Sequence, residues 1–281
     1  MSYKKILIYN SGGGLGDSIQ LFSFILTLKN FFKEGEIYYL SSHDNHYIGK
    51  LKNYNVSVKN LDLNLKYFGF RWWHYFLVKK RFLNNDIEEI DLIIDLQSKL
   101  RNTLILKQIP HHLFYSPTLN FKFCSKRAEF ETNEHLKNLS NFLKINIKIT
   151  KFNVNNLSEK FKLEAKRLLP DNNYIGFSVT QGNLYREKSW LLENFINIAS
   201  KINDKNFVPV FFVEKKDMDN IKKIKSKLPN ALFPELYSKL SCPALVTALS
   251  SRLSKAISID NGIMHMMGLA NIPMIVLFGP T

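Results

Sequence analysis

Short apolar runs alternate with longer amphipathic stretches along almost the whole chain. The apolar runs, rich in isoleucine, valine and phenylalanine, predict buried strands at 5–9, 37–40, 90–96, 174–179, 207–213, 256–259 and 274–278, with a weaker candidate at 56–58. The amphipathic stretches predict helices at 17–32, 99–108, 134–144, 192–202, 217–228 and 243–253, and another that opens near Gly262. Strands that alternate with helices are typical of parallel sheets covered by helices, so the pattern predicts the α/β class.

The pattern weakens at 146–160, where polar and apolar residues alternate without a strong core signal. We therefore predict an inter-domain linker there, between two doubly wound domains at residues 1–155 and 156–281. Ligands of such folds bind at the carboxyl ends of the strands. The loops after Tyr9, Val179, Val213 and Ile259 are accordingly the candidate site loops.

Length and composition fit two such domains and argue against other classes. The 281 residues, of which 45% are hydrophobic, suffice for two cores. Neither Cys124 nor Cys242 stands in a disulfide-framework or zinc spacing, so a reducing, cytoplasmic location is expected. No window approaches the roughly 20 apolar residues of a membrane span, and the short first run predicts a strand and not a signal peptide.

The formal net charge of +15 points to an anionic partner. Both halves are basic, and residues 96–128 contain no acid at all. Such a surface attracts nucleic acid, an anionic membrane or a phosphorylated substrate. A nucleic-acid-binding protein is therefore an alternative, although no RNA-recognition aromatic motif or helix-turn-helix pattern is present. The adjacent His111 and His112 do not easily share one ligand, and we interpret them as loop residues.

Residues 66–83 mix eight aromatic side chains with five basic ones. Amphipathic basic-aromatic segments lie at membrane interfaces, where tryptophan and tyrosine favour the headgroup zone and basic residues meet anionic lipid. The alternative is a core-packing helix with a solvated basic edge. The sequence leaves both interpretations open.

The glycine-rich loop at 11–17 ends in a carboxylate, Asp17. Its spacing fits neither the dinucleotide fingerprint nor the Walker phosphate loop. Asp17 either caps the helix that follows or acts as a general base on an acceptor hydroxyl.

Two further polar loops carry candidate anion-binding groups. After the strand at 174–179, Thr180 offers a hydrogen bond to a phosphate oxygen and Lys188 offers charge to a diphosphate, whereas Trp190 is expected to pack the next helix onto the sheet. After the strand at 256–259, Asp260, Asn261 and Gly262 form a turn into a helix whose free N–H groups suit a phosphate. The pair Asp217 and Asp219 is interpreted as charge at a helix N-terminus, and no metal site is assigned.

Together these segments resemble the lipopolysaccharide heptosyltransferase family, glycosyltransferase family nine. The resemblance rests on the Gly16-Asp17 pair, on a pattern that opens the second domain and on a closing element with an FGPT sequence at 278–281. The pattern consists of Lys188, Trp190, Glu193 and Phe195, and the closing element of Asp260, Gly262 and His265.

The resemblance implies two Rossmann-like domains that face each other across a cleft, the GT-B type. It further implies inverting sugar transfer without a metal or a cofactor. The donor would be a nucleotide sugar, typically ADP-heptose, and the acceptor an anionic lipid-linked saccharide of the lipopolysaccharide core, at the cytoplasmic face of the inner membrane. Asp17 would be the base. The implied donor-binding residues are Thr180, Lys188, Glu214, Asp260, Asn261, Gly262 and His265. If the acceptor is lipid-anchored, Lys99 and Arg101 of the acid-free stretch are expected to bind its phosphates or carboxylates, and Gly16 and Gln97 are the other acceptor-side residues.

Some positions depart from the family pattern. No proline follows the Gly-Asp pair, Asn261 replaces a common serine or threonine, and Leu191 replaces a common proline. Relatives also continue beyond the point that corresponds to Thr281, so we expect either a truncated sequence or a shortened member. A catalytically silent relative that keeps the donor site is therefore a second interpretation.

Overall fold

The computed structural model describes residues 3–97, 99–119, 132–171, 173–180, 190–203, 205–214 and 216–279. The chain divides into two compact units. Unit 1 contains residues 1–52 and 56–152, and unit 2 contains residues 53–55 and 153–281. The domain bounds expected from the sequence, 1–155 and 156–281, stay a prediction.

Unit 1 is built on a five-stranded parallel sheet of strand order β3-β2-β1-β4-β5. Its strands are β1 Lys5–Asn10, β2 Glu36–Ser41, β3 Lys59–Asn60, β4 Ile90–Asp95 and β5 His111–Tyr115. Its helices are α1 Leu15–Gln20, α2 Phe22–Phe31, α3 His74–Leu83, α4 Leu100–Leu106 and α5 Thr132–Leu143. The central strands β1 and β4 are almost wholly buried, which explains why their sequences read as continuous apolar runs.

Unit 2 is built on a four-stranded parallel sheet of order β7-β6-β8-β9. Its strands are β6 Tyr174–Ser178, β7 Val208–Phe212, β8 Lys255–Ile259 and β9 Met274–Leu277. Its helices are α6 Glu159–Leu168, α7 Leu192–Asn203, α8 Met218–Lys227, α9 Pro243–Ser250 and α10 Gly262–Leu269. Stacked rings fill the core, with the centroid of Phe211 4.9 Å from that of Phe177 and 5.9 Å from that of Phe233.

A short stretch from the first half of the sequence belongs to unit 2. The hydroxyl of Tyr54 donates to the carbonyl oxygen of Pro243 at 2.6 Å and lies 2.7 Å from the Thr247 hydroxyl, at α9. The Tyr54 side chain is buried there. Residues 53–55 are thus part of unit 2, while the residues on either side of them belong to unit 1.

The α/β class and the parallel strands are confirmed, with four local corrections. The predicted helix at 17–32 is divided at Leu21 into α1 and α2, and the third strand of unit 1 is Lys59–Asn60 and not 56–58. His111 and His112 are wrongly interpreted as loop residues, because they begin β5 and pair along β4. Helix α6 was not predicted, and its first two residues, Glu159 and Lys160, overlap the predicted linker. Among the described residues, no helix is long and apolar enough to cross a membrane.

Candidate functional site

Asp17 lies in the first turn of α1, directly under the glycine-rich loop. One carboxylate oxygen, Oδ2, accepts a hydrogen bond from the backbone N–H of Gly14 at 2.9 Å, so the residue caps the helix start. A Cβ atom added to Gly12 would lie 2.8 Å from the Cβ of Asp17, so the loop backbone wraps the side chain too closely for any larger residue. Asp17 is nevertheless exposed to solvent. The cap therefore holds an accessible carboxylate in one place.

Gln97 ties the end of β4 to the glycine-rich loop. Tyr9 pairs with Asp95 in the sheet, and Ser11 and Gln97 each lie two residues farther on. The Ser11 hydroxyl donates to Oε1 of Gln97, and Nε2 of Gln97 donates to Oδ1 of Asn10 at 3.1 Å. The predicted acceptor-side residue Gln97 is thus part of the same sheet edge as Gly16 and Asp17.

A buried carboxylate, Asp95, supports this edge from below. Its Oδ2 accepts hydrogen bonds from the hydroxyls of Thr103 at 2.5 Å and Ser116 at 2.9 Å, and its Oδ1 accepts one from the backbone N–H of Gln97 at 3.0 Å. Burial raises the pKa of Asp95 to about 7, although the hydrogen bonds act in the opposite direction. The sequence predicts the strand but not this role, because Asp95 has no distinguishing motif.

Lys99 and Arg101, the two cationic residues predicted for the acceptor side, converge on one ring. The Nζ of Lys99 and the Cζ of Arg101 each lie 5.9 Å from the centroid of Phe70. Nε of Arg101 donates to the carbonyl oxygen of Gly69 at 3.0 Å, which fixes the guanidinium beside the ring. The acid-free stretch therefore contributes a defined pair of cations to unit 1.

His43, which was not among the residues predicted from the sequence, connects these cations to the glycine-rich loop. Its ring centroid lies 6.1 Å from that of Phe70 and 5.4 Å from that of Tyr67. A Cβ atom on Gly13 would lie 2.7 Å from the His43 ring. His43 comes two residues after the end of β2, so including the loop after β2 among the candidate loops would have found it.

Three predicted donor-side residues of unit 2 stand at the same level of the sheet. Ser178 pairs with Phe212 in β7 and with Ser258 in β8. Thr180, Glu214 and Asp260 each follow these paired positions by two residues. Because the strands are parallel, their loops leave the same edge, and the sequence prediction that these loops share a site is consistent with the topology.

Asn261 joins two of these loops directly. Its Nδ2 donates to the Ser178 hydroxyl at 2.7 Å and to the carbonyl oxygen of Thr180 at 2.8 Å. Its Oδ1 accepts from the backbone N–H of Met264 at 2.9 Å and so caps α10. Gly262 is the first residue of α10, and His265 follows one turn later. The helix start, with its N–H groups and positive dipole end, is therefore locked to the end of β6.

Other predicted residues have more ordinary surroundings or lie outside the described ranges. Lys188 belongs to residues 181–189, which lie outside them, as do Pro280 and Thr281. The Glu214 carboxylate is exposed and pairs with Nζ of Lys216 at 2.6 Å. The Trp190 ring lies edge-on to Phe195 of α7, with centroids 5.1 Å apart, so it packs this helix as predicted.

The Asp217 and Asp219 pair occupies the helix position that the sequence indicates. Asp217 is the N-cap of α8, its Oδ2 accepts from Nδ2 of Asn220 at 2.9 Å, and Asp219 lies in the first turn. In the described ranges, no three histidine, cysteine or acidic side chains are grouped so that they could hold a metal ion.

Each unit thus presents its own chemistry at the carboxyl edge of its sheet. Unit 1 holds an exposed carboxylate in the glycine-rich loop and, from other loops of the same edge, a histidine and two cations grouped around Phe70, a set suited to taking a proton from an anionic substrate. Unit 2 holds a capped helix start between polar loops, an arrangement suited to a phosphate group.

Solved structures similar to this chain share its fold along nearly its whole length. A glycosyl transferase family 9 protein from Veillonella parvula has a TM-score of 0.67 and 17% identity, over 100% of this chain and 83% of that one. The E. coli heptosyltransferase WaaC with ADP has a TM-score of 0.67 and 13% identity, over 98% and 88%. E. coli ADP-heptose lps heptosyltransferase II has a TM-score of 0.62 and 16% identity, over 99% and 85%.

These likenesses show that the two parallel sheets form a GT-B-like fold. No curated protein matches the chain significantly by sequence. A family profile does match it, over residues 83–281, and its description is glycosyltransferase family 9 (heptosyltransferase). Since the match covers more than half of the sequence, the chain belongs to glycosyltransferase family 9.

Proposed function

We propose that this protein is an inverting, metal-independent transferase that moves a heptose from ADP-heptose to an anionic, lipid-linked saccharide of the lipopolysaccharide-core type. The observation that carries the proposal is the clamp made by Asn261, which holds the start of α10 against the end of β6. Family membership supports a sugar transferase, and one similar structure is described as WaaC with ADP-2-deoxy-2-fluoro heptose.

The donor binds at the edge of unit 2. The N–H groups at the start of α10, Thr180 and Lys188 bind the diphosphate and offset its negative charge without a metal. Glu214 contacts the ribose. Asp260, in the loop before α10, and His265, in the first turn of α10, orient the remaining polar groups of the donor.

The base is Asp17. In a single displacement, the acceptor oxygen attacks the anomeric carbon while the bond from that carbon to the diphosphate oxygen breaks, so the configuration inverts. Asp17 takes the proton of the attacking hydroxyl, and Lys188 and the α10 N–H groups stabilise the charge on the departing diphosphate. The hydrogen bond from Gly14 keeps the carboxylate in position for this transfer.

The acceptor binds at the edge of unit 1. Lys99 and Arg101 pair with its carboxylates or phosphates, while Gln97 and the backbone at Gly16 line the same edge. Such an acceptor, together with a nucleotide-sugar donor, supports a cytoplasmic location at the cytoplasmic face of the inner membrane.

Thermal shifts with a panel of nucleotides and nucleotide sugars test the donor site. We expect ADP-heptose to raise the unfolding temperature of the wild type, and Lys188→Ala and Asp260→Ala to abolish that rise. A rise that survives in both variants would refute the site.

Asp17→Asn separates binding from catalysis. The variant should keep the donor-induced thermal shift, because Asp17 belongs to unit 1, and should lose sugar transfer, because an amide does not accept the hydroxyl proton. Unchanged turnover would remove Asp17 from the mechanism. A donor shift without turnover by the wild type with any acceptor would instead indicate a silent, nucleotide-sugar-binding relative, and salt-dependent binding of random DNA without transfer would indicate a nucleic-acid-binding protein.

A further inference from the structure

Helix α3 and the turn before it expose a face of aromatic and aliphatic side chains. The inward positions of α3 are His74, Val78 and Phe82, spaced four residues apart, and all three are buried. The exposed fractions on the other side are large, namely Trp72 59%, Trp73 57%, Tyr75 39%, Phe76 81%, Leu77 38% and Leu83 49%. We call this face, within residues 66–83, the α3 surface.

The α3 surface is also strongly basic. Residues 66–83 include five cationic side chains and no acidic one. The cationic residues are Lys66, Arg71, Lys79, Lys80 and Arg81. The guanidinium carbon of Arg71 lies 5.5 Å from the centroid of the Trp73 ring, so charge and aromatic surface are interleaved and not separated into two faces.

The backbone beneath the α3 surface is firmly held. The carbonyl oxygen of Phe68 accepts hydrogen bonds from the hydroxyls of Tyr9 at 2.9 Å and Ser42 at 2.6 Å. The backbone N–H of Gly69 donates to Nδ1 of His74 at 3.2 Å. The buried side chains of Val78 and Phe82 complete the attachment to the core of unit 1. The exposed rings are therefore presented outward by a packed scaffold.

We propose that the α3 surface docks on an anionic lipid bilayer, lying in the interface plane without spanning it. Trp72, Trp73 and Tyr75 suit the headgroup zone, Phe76 and the exposed leucines suit the upper acyl region, and the lysines and arginines suit lipid phosphates. Both interpretations of residues 66–83 then hold, because one face of α3 packs on the core of unit 1 and the opposite face contacts lipid.

Two other occupants fit the α3 surface less well. A second copy of the chain would bring five positive charges against five more, and like charges in close contact oppose association. Single-stranded nucleic acid would use the rings and the charges by stacking and pairing, but it would leave the exposed aliphatic side chains Leu77 and Leu83 without an apolar partner.

The position of the α3 surface in the sequence gives docking a consequence. Phe70, which contacts Lys99, Arg101 and His43, belongs to the same segment. Docking would therefore bring the lipid surface near the residues proposed for the acceptor. The lipid contact itself does not require the proposed transfer reaction.

Sedimentation with sucrose-loaded vesicles tests the charge component, using the full chain without donor or acceptor. We expect binding to phosphatidylcholine vesicles that contain phosphatidylglycerol, and much weaker binding to phosphatidylcholine alone. The double variant Lys79→Glu with Lys80→Glu should weaken binding by about thirtyfold or more, since each basic residue lost from an anionic surface costs about fivefold. The matched control reverses two exposed lysines of α8, Lys222→Glu with Lys223→Glu, and should change binding far less.

Tryptophan fluorescence tests the apolar component. Two of the three tryptophans, Trp72 and Trp73, lie on the α3 surface. Anionic vesicles should shift the emission to the blue, and brominated lipids should quench it. Trp72→Phe with Trp73→Phe should remove both changes. Phe76→Ser should weaken vesicle binding, whereas Leu163→Ser, at an exposed position of α6, should not.

Specific outcomes would overturn the proposal. Equal weakening of vesicle binding by the α3 and α8 charge variants would do so, as would an unchanged emission spectrum in the presence of vesicles. A dimer in light scattering that Phe76→Ser dissociates would point to a second copy of the chain instead. Binding of a single-stranded oligonucleotide without binding of vesicles would point to nucleic acid. Circular dichroism and unfolding temperature confirm that each variant is folded. Absence of vesicle binding by the wild type, with sugar transfer to a soluble acceptor present, would overturn this inference alone. Vesicle binding by the wild type without any sugar transfer would overturn the proposed function alone.

Discussion

The buried carboxylate of Asp95 makes the stability of unit 1 dependent on pH. Its environment raises the pKa from the ordinary 3.8 to about 7, because burial disfavours the charged form more than three hydrogen bonds favour it. The folded protein therefore binds this proton more tightly than the unfolded chain does. The stability associated with it is fully present below about pH 4 and is lost as the pH rises through 7.

The size of the effect follows from the same pKa difference. A change from 3.8 to about 7 corresponds to a loss of about 4 kcal/mol in the free energy of unfolding between about pH 4 and pH 8, at about 1.4 kcal/mol for each tenfold change in proton affinity. Asp95→Asn removes the titration but keeps an oxygen that accepts hydrogen bonds. Relative to this variant, the wild type should become less stable with rising pH by up to that amount.

Urea unfolding of both proteins, followed by circular dichroism across this pH range, measures the difference. Asp44→Asn is the matched control, because Asp44 is an exposed acid of the same unit. Its curve should run parallel to that of the wild type. If the wild type and Asp95→Asn kept a constant difference in unfolding free energy at every pH, the carboxyl would not be raised in pKa, and the reasoning would be wrong.

Two further substitutions examine the two sheet edges. Gly12→Ala should reduce sugar transfer strongly with little loss of donor binding, because the added Cβ would lie 2.8 Å from the Cβ of Asp17 and must displace the carboxylate. In the same assay, the control Gly49→Ala should leave turnover unchanged, because its Cβ would lie 3.6 Å from the nearest atom. Asn261→Ala should lower the free energy of unfolding by about 1–2 kcal/mol through loss of the α10 cap and should diminish the donor-induced thermal shift, whereas Asn261→Ser should restore the cap and most of the stability; equal stability of all three proteins in urea would contradict the role of the cap.

The sequence predicts well those features that depend on local composition. The strands β1 and β4 lie inside their sheet, so both faces are apolar and their runs stand out. The convergence of Thr180, Asp260 and Asn261 was also predictable, because it follows from the rule that parallel strands end at one edge. Strand β5 was not predicted, because His111 and His112 at its start interrupt any apolar run. Its strand conformation is stabilised by parallel pairing with β4.

Features that depend on contacts between distant residues could not be predicted in the same way. His43 and Phe70 come from different loops and meet only because their strands and helices fold around a common edge. The pKa of Asp95 depends on burial by the whole of unit 1, which a strand motif does not express. The sequence left open whether Asp17 is a helix cap or a general base. The hydrogen bond from Gly14 shows that it is a cap, and the exposure of its side chain is compatible with the proposed role as a base.

The path of the chain through Tyr54 limits how this protein can be divided. Three residues in the middle of unit 1's sequence belong to unit 2, so the polypeptide crosses from one unit to the other three times. A single cut after residue 152 would leave the second fragment without Tyr54, and the Pro243 carbonyl and Thr247 hydroxyl would lose that partner. The first fragment would keep all of unit 1 together with residues 53–55, and the second would be an incomplete unit 2, so swapping halves between relatives requires moving residues 53–55 with the second half.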